Sequence, residues 1–144
     1  MKKSILVATV FFTIFFSSVG FASCNLDLNR WEWIATNKKF SVYIDTKTVK
    51  SFNDFVDVWV CWYFPSNCQY HTTGGEHYHH NLFTINYRNN TCCLKSFVNR
   101  DRNGNVTDSH TYTNADYRPI PPETILESIA VAAKKRINSP STNK

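Results

Sequence analysis

Glycine is scarce, with four residues in a chain of 144. The scarcity excludes glycine-rich phosphate cradles, and no GxGxxG, GxxxxGK[ST], GxSxG or HExxH pattern occurs. At this length there is room for one domain, but not for a cofactor domain beside a substrate domain. Acids are also in short supply. The 11 Asp and Glu face 16 Lys and Arg, for a formal charge of +5 and a pI near 9.0. Aromatics are plentiful at 15%, with 11 Phe, 7 Tyr and 4 Trp, which excludes a disordered chain.

A long apolar run occurs only at the N-terminus. Lys2 and Lys3 precede the stretch from Ile5 to Phe16, which is shorter than the roughly 20 residues of a membrane span. Gly20 and Ala22 occupy positions minus 3 and minus 1 of a cut before Ser23, so residues 1–22 read as a secretory signal peptide. Its removal leaves 144 − 22 = 122 residues and lowers the charge from +5 to +3, because two lysines and no acids are lost. Two processing routes fit. Phe21-Ala22-Ser23-Cys24 has the ending of a bacterial lipoprotein signal, with Phe where Leu is preferred, so a lipid on Cys24 would anchor the chain to a membrane. Without it, the protein is free in the periplasm or secreted.

The mature chain reads as a single domain over residues 23–137 with a tail over 138–144. Alternation of apolar and polar residues predicts strands at Trp31 to Thr36, Phe40 to Asp45, Val56 to Phe64, Tyr78 to Tyr87, Cys92 to Arg100 and Val106 to Tyr112. In the clearest, Val56, Val58, Val60, Trp62 and Phe64 share one face, and Asp57, Trp59, Cys61 and Tyr63 the other. Asp101-Arg102-Asn103-Gly104 is a hairpin signal. After Pro119, Pro121 and Pro122 the period changes. Thr124-Ile125-Leu126-Glu127 has the form of a capping box, and Ile125, Ile129, Ala133 and Ile137 with Leu126 and Ala130 make one apolar stripe. The expected fold is α+β: an antiparallel sheet of about six strands with one C-terminal helix on one face.

The ordered set Val42-Tyr43-Ile44-Asp45-Thr46-Lys47-Thr48-Val49, Val58-Trp59-Val60, Phe83-Thr84-Ile85-Asn86-Tyr87-Arg88-Asn89, Asn103-Gly104-Asn105-Val106 and Ile120-Pro121-Pro122-Glu123-Thr124-Ile125-Leu126-Glu127 resembles the bacterial surface-adhesin protein E family. The resemblance implies a six-stranded antiparallel sheet with a C-terminal helix, in an exported or lipid-anchored envelope protein. Named members of that family bind host matrix proteins and haemin, while many others have no assigned activity. It also implies a departure. Where the family carries Asp-Cys this chain has Asn86-Tyr87, and its helix lacks cysteine, so the strand-to-helix disulfide is missing. Helix docking then falls to Ile125 and Ile129, with Tyr87 as a packing partner.

In an exported protein, five cysteines suggest disulfides with one left over, and a lipidated Cys24 would account for the odd one. Cys61, Cys68, Cys92 and Cys93 remain. Cys92 and Cys93 are strand neighbours on opposite faces, which disfavours a bridge between them. A local Cys61 to Cys68 bridge is favoured, and pairing of either with Cys92 or Cys93, or free thiols, stay open.

Four of five histidines fall within ten residues: His71, His77, His79 and His80. His77 and His79 share a strand face, so the loop is a candidate ligand set for zinc, copper or haem iron; the alternative is a solvated hairpin. No catalytic residue is assigned. Cys92 or Cys93 could be combined with His110 or His79, but nothing in the sequence fixes that geometry. The modest basicity is spread along the chain, which argues against nucleic acid. The expected function is non-enzymatic binding of a host or envelope protein. Trp31, Trp33, Trp59 and Tyr63 are the candidate contact residues, although core packing or a homodimer contact would use the same side chains.

Overall fold

A computed structural model describes residues 26–66 and 77–139. The expected signal segment, Cys24, Cys68, His71, Gly74-Gly75 and residues 140–144 lie outside the described residues. The fold is one antiparallel sheet with a C-terminal helix packed on one face. Six strands follow one another in space as they do in sequence: β1 (Trp31–Thr36), β2 (Ser41–Asp45), β4 (Phe55–Phe64), β5 (His77–Asn86), β6 (Thr91–Asp101) and β7 (Val106–Thr111). Sequential antiparallel neighbours need only short connections.

Two shorter strands complete the sheet, β3 (Lys50–Phe52) and β8 (Arg118–Pro119). Each fills a length of edge that a longer neighbour leaves open. β2 pairs with Val60 to Tyr63 of β4, and β3 covers the other end, from Phe55 to Asp57. Likewise β7 pairs with the second half of β6, and β8 pairs with Thr91 and Cys92. β8 contains Pro119, which is tolerated because a proline at a sheet edge withholds no needed ladder donor.

The turns follow the local chemistry. Gly104 has φ +84, a left-handed conformation that costs glycine little. The Asp101 carboxylate accepts from Asn103 N (2.8 Å), Asn105 N (2.9 Å) and Asn105 Nδ2 (3.0 Å), so its side chain organises the β6–β7 hairpin.

The helix α1 (Ile125–Asn138) is capped as its sequence suggests, with one change of partner. Thr124 Oγ1 accepts from Glu127 N (3.3 Å), but the Glu127 carboxylate accepts from Glu123 N (2.7 Å), one residue before the cap. Ile129, Ala130 and Ala133 are buried against Val42, Ile44, Val56, Val58, Val60, Ile85 and Cys92, with Ile120 beside them. Ile137, the last of the apolar stripe, is 37% exposed because the helix end runs past this core.

Three further contacts fix the helix. Tyr87, immediately after β5, donates its hydroxyl to Ala130 O (2.6 Å), and burial pushes its pKa up to about 12. Lys134 Nζ lies 5.4 Å from the Tyr87 ring centroid. Arg136 Nε donates to Glu32 Oε2 on β1 (2.6 Å). Tyr87 therefore tethers the helix through a hydrogen bond.

Candidate functional site

The pleat gives the sheet two chemically different faces. On the helix side, Val56, Val58, Val60, Ile85 and Cys92 form a dry aliphatic layer. On the other, Tyr43, Cys61, Tyr63 and Tyr78 make a second buried cluster, flanked by Trp31 and by Leu26 from the segment before β1. The Tyr63 and Tyr78 rings sit 5.3 Å apart across the β4–β5 ladder. Trp33 is 52% exposed, and Trp31 and Trp59 are half-buried. Tyr63 departs from the expected contact set: Tyr78 is its cross-strand partner, and only 6% of it is exposed.

On the face away from the helix, a cavity of about 400 Å³ is lined by Arg30, Trp31, Asp45, Trp59, His80, Val98 and Arg100. A second, of about 180 Å³, lies beside it and shares His80 and Arg100, adding Arg102 and Gly104 from the β6–β7 hairpin. Both are open, so together they form a trough crossing β1, β2, β4, β5 and β6. The larger falls within the usual volume range of ligand sites, roughly 300–1,000 Å³.

Asp45 forms the acidic wall and is 1% exposed. Arg30 donates to Asp45 Oδ2 from Nε (2.9 Å) and Nη2 (2.6 Å), and Lys47 N donates to Oδ1 (3.1 Å). Burial alone would raise the Asp45 pKa, but the Arg30 hydrogen bonds and the Lys47 amide hold it below the usual carboxylate range. Arg30 also lies 5.8 Å from the Trp31 ring centroid, within cation–π range.

His80 sits at the junction of the two cavities. Its ring is 5.4 Å from Trp31, edge to face. Burial and the nearby Arg100 push its pKa down to about 4, so the imidazole is neutral at pH 7. Its Nδ1 is buried and has no hydrogen-bond partner. Arg100 holds its place by donating Nη1 to Gly104 O (2.8 Å).

The described histidines do not act as a group. His77 and His79 share the face of Phe64, with rings 5.2 Å apart, whereas His80 projects to the opposite face. Among the described residues no group of three or more His, Cys, Asp or Glu converges as a metal site.

No disulfide is found among the described residues. The Cys61 to Cys68 pairing involves a residue outside them. Pairing of Cys61 with Cys92 or Cys93 is overturned by register, since Cys61 lies opposite His80 whereas Cys92 and Cys93 lie opposite Ile85 and Thr84. Such a bridge would have to cross β5, a gap of roughly 10 Å, against the ~7 Å that a disulfide spans. Cys92 and Cys93 are buried free thiols, and burial, with Cys93 beside it, pushes the Cys92 thiol up and away from reactivity.

His79 and His110 are no closer to serving a nucleophile. They lie opposite Asn99 and Phe97, more than ~10 Å along β6 from Cys93.

The sequence reading missed Arg30, Asp45 and Arg100 as site residues. Only the unusual placement of Asp45 at the end of an apolar strand hinted at a buried charge. No family model, curated protein or solved structure matches this chain. Among the described residues no helix is long and apolar enough to cross a membrane.

Proposed function

We propose that this chain is an exported, non-enzymatic bacterial binding protein resembling the surface-adhesin protein E family, and that it holds a host or envelope protein against the sheet face that the helix leaves uncovered. The observation that carries the reading is the asymmetry of the sheet. One face is sealed by α1, and the other presents Trp33 at 52% exposure beside a trough walled by Trp31, Trp59 and arginines. Tryptophan and arginine are the side chains on which interface energy concentrates. The test is photo-crosslinking from position 33, with a control at Val131, which is 65% exposed on the outer side of the helix. Crosslinks to a partner protein from position 33 and none from position 131 are expected; crosslinks from position 131 alone would contradict the reading.

A second reading, haem or transition-metal binding by the histidine segment, is favoured by one observation, the His77–His79 ring pair at 5.2 Å. Titration with zinc, copper and haemin, read by absorbance and melting temperature, decides it. A response lost in the His77→Ala/His79→Ala double variant supports this reading, and absence of any response ends it.

A further inference from the structure

The trough on the uncovered face has a particular charge. Its lining contributes Arg30, Arg100 and Arg102 against the single carboxylate of Asp45. With His80 neutral, the lining alone carries three cations against one anion, while Asp27 acts on Arg30 and Asp101 on Arg102 from just outside it. Arg30 and Asp45 satisfy each other at 2.6 Å. Arg100 and Arg102 take part in none of the ion pairs among the described residues, which join Arg30 to Asp45, Lys95 to Asp57, Arg118 to Asp116 and Arg136 to Glu32. Asp101, next to Arg102 in sequence, accepts from the Asn103 and Asn105 amides and keeps its charge, which acts on Arg102 without forming an ion pair.

Two guanidinium groups that take part in no ion pair among the described residues are thus presented at one end of an open trough whose other end is walled by Trp31 and Trp59. Guanidinium forks match carboxylates through paired N–H donors, and tryptophan faces accept the apolar stems between charges. The local charge is small, and the neutral imidazole adds a hydrogen-bonding group without a third free cation. This suits one or two carboxylates on an apolar stem better than the dense charge of a sulfated glycan or a nucleic acid. Because the trough is open and crosses five strands, an extended chain segment fits it better than an enclosed small molecule.

We infer that the trough between Trp59 and Arg102 docks an acidic, extended peptide segment of the partner protein, its carboxylates on Arg100 and Arg102 and its stems against Trp31 and Trp59. The inference rests on the reading of this face as the contact surface and adds the chemistry of what it contacts.

The test is a titration of the purified protein with poly-L-glutamate, read by tryptophan fluorescence, with poly-L-glutamine and heparin as comparators. Poly-L-glutamate should bind and poly-L-glutamine should not, and binding should weaken as salt rises. Arg100→Gln and Arg102→Gln should each weaken it about tenfold, the effect of losing one charge-assisted hydrogen bond. Lys135→Gln, an equal charge change in the last turn of α1, should leave it unchanged. Arg102 makes no hydrogen bond that the hairpin needs, so its variant remains informative even if Arg100→Gln loosens the hairpin. No response to poly-L-glutamate, equal losses in Arg102→Gln and Lys135→Gln, or tighter binding to heparin would overturn the inference. Crosslinking from position 33 with no poly-L-glutamate binding would retain a docking face and remove the acidic segment. Poly-L-glutamate binding without crosslinks would retain the trough and remove the broader reading.

Discussion

The two faces of the sheet are built from the same strands, yet they are chemically unlike. Toward the helix, β-branched side chains such as Val42, Ile44, Val56, Val58 and Val60 are sealed by Ile129, Ala130 and Ala133. Away from it, tyrosines, tryptophans, a histidine and a buried aspartate alternate in register with those aliphatics. Aliphatic surface has only burial to offer, whereas aromatic side chains with polar edges tolerate a wet boundary. The helix-covered face is the drier and more aliphatic of the two, and the uncovered face is the one proposed for contact. Substitutions should separate the two.

The largest effect is expected at Ile129, which is 1% exposed. Ile129→Asp places an unpaired charge in the helix–sheet core and should cost about 3–5 kcal/mol, enough to unfold a marginal domain. Urea denaturation measures it. Val131→Asp, on the outer side of the same helix, should stay within about 0.5 kcal/mol.

The second effect belongs to the uncovered face and appears on acidification. His80 titrates at about 4 in the fold against 6.5 ordinarily, so between these values the unfolded chain binds the extra proton. Stability is therefore full above pH 6.5 and falls as pH drops toward 4, by up to about 3 kcal/mol. Asp45, whose folded pKa is lowered, adds a loss below the ordinary carboxylate range. His80→Phe should flatten the denaturation midpoint between pH 7 and 4. An unchanged slope in that variant would show that other groups carry the acid sensitivity.

Tyr87→Phe removes the hydroxyl that reaches Ala130 O and should cost about 1 kcal/mol. A thermal melt of this variant sharpens the comparison, because the loss should leave poly-L-glutamate binding untouched. The smallest effect is expected for Arg136→Gln, which breaks a half-exposed pair with Glu32 and should cost about 0.2–1 kcal/mol. High salt should erase it.

Most of the sheet was legible because its long strands alternate cleanly. The Val56 to Phe64 faces divide as their spacing requires, and Thr124 with Glu127 marks the helix start. The short β3 and β8 were not legible. Their three and two residues are all exposed, so they carry no hydrophobic period to detect. The site was less visible because it depends on distant pairings. Asp45 reads as the start of a turn, yet Arg30, 15 residues earlier, closes over it only when β1 and β2 pair. Sequence proximity groups the histidines, but the pleat separates His80 from His77 and His79. Nothing local marks Arg100 as the neighbour of Trp59, since they come from β6 and β4 with β5 between.

The division of labour between the faces is tested most directly by amide chemical-shift mapping during a poly-L-glutamate titration. Shifts confined to Trp31, Trp59, His80, Arg100 and Arg102, with Ile129 to Ala133 unmoved, are expected. Shifts centred on the helix, or spread evenly over both faces, would contradict it.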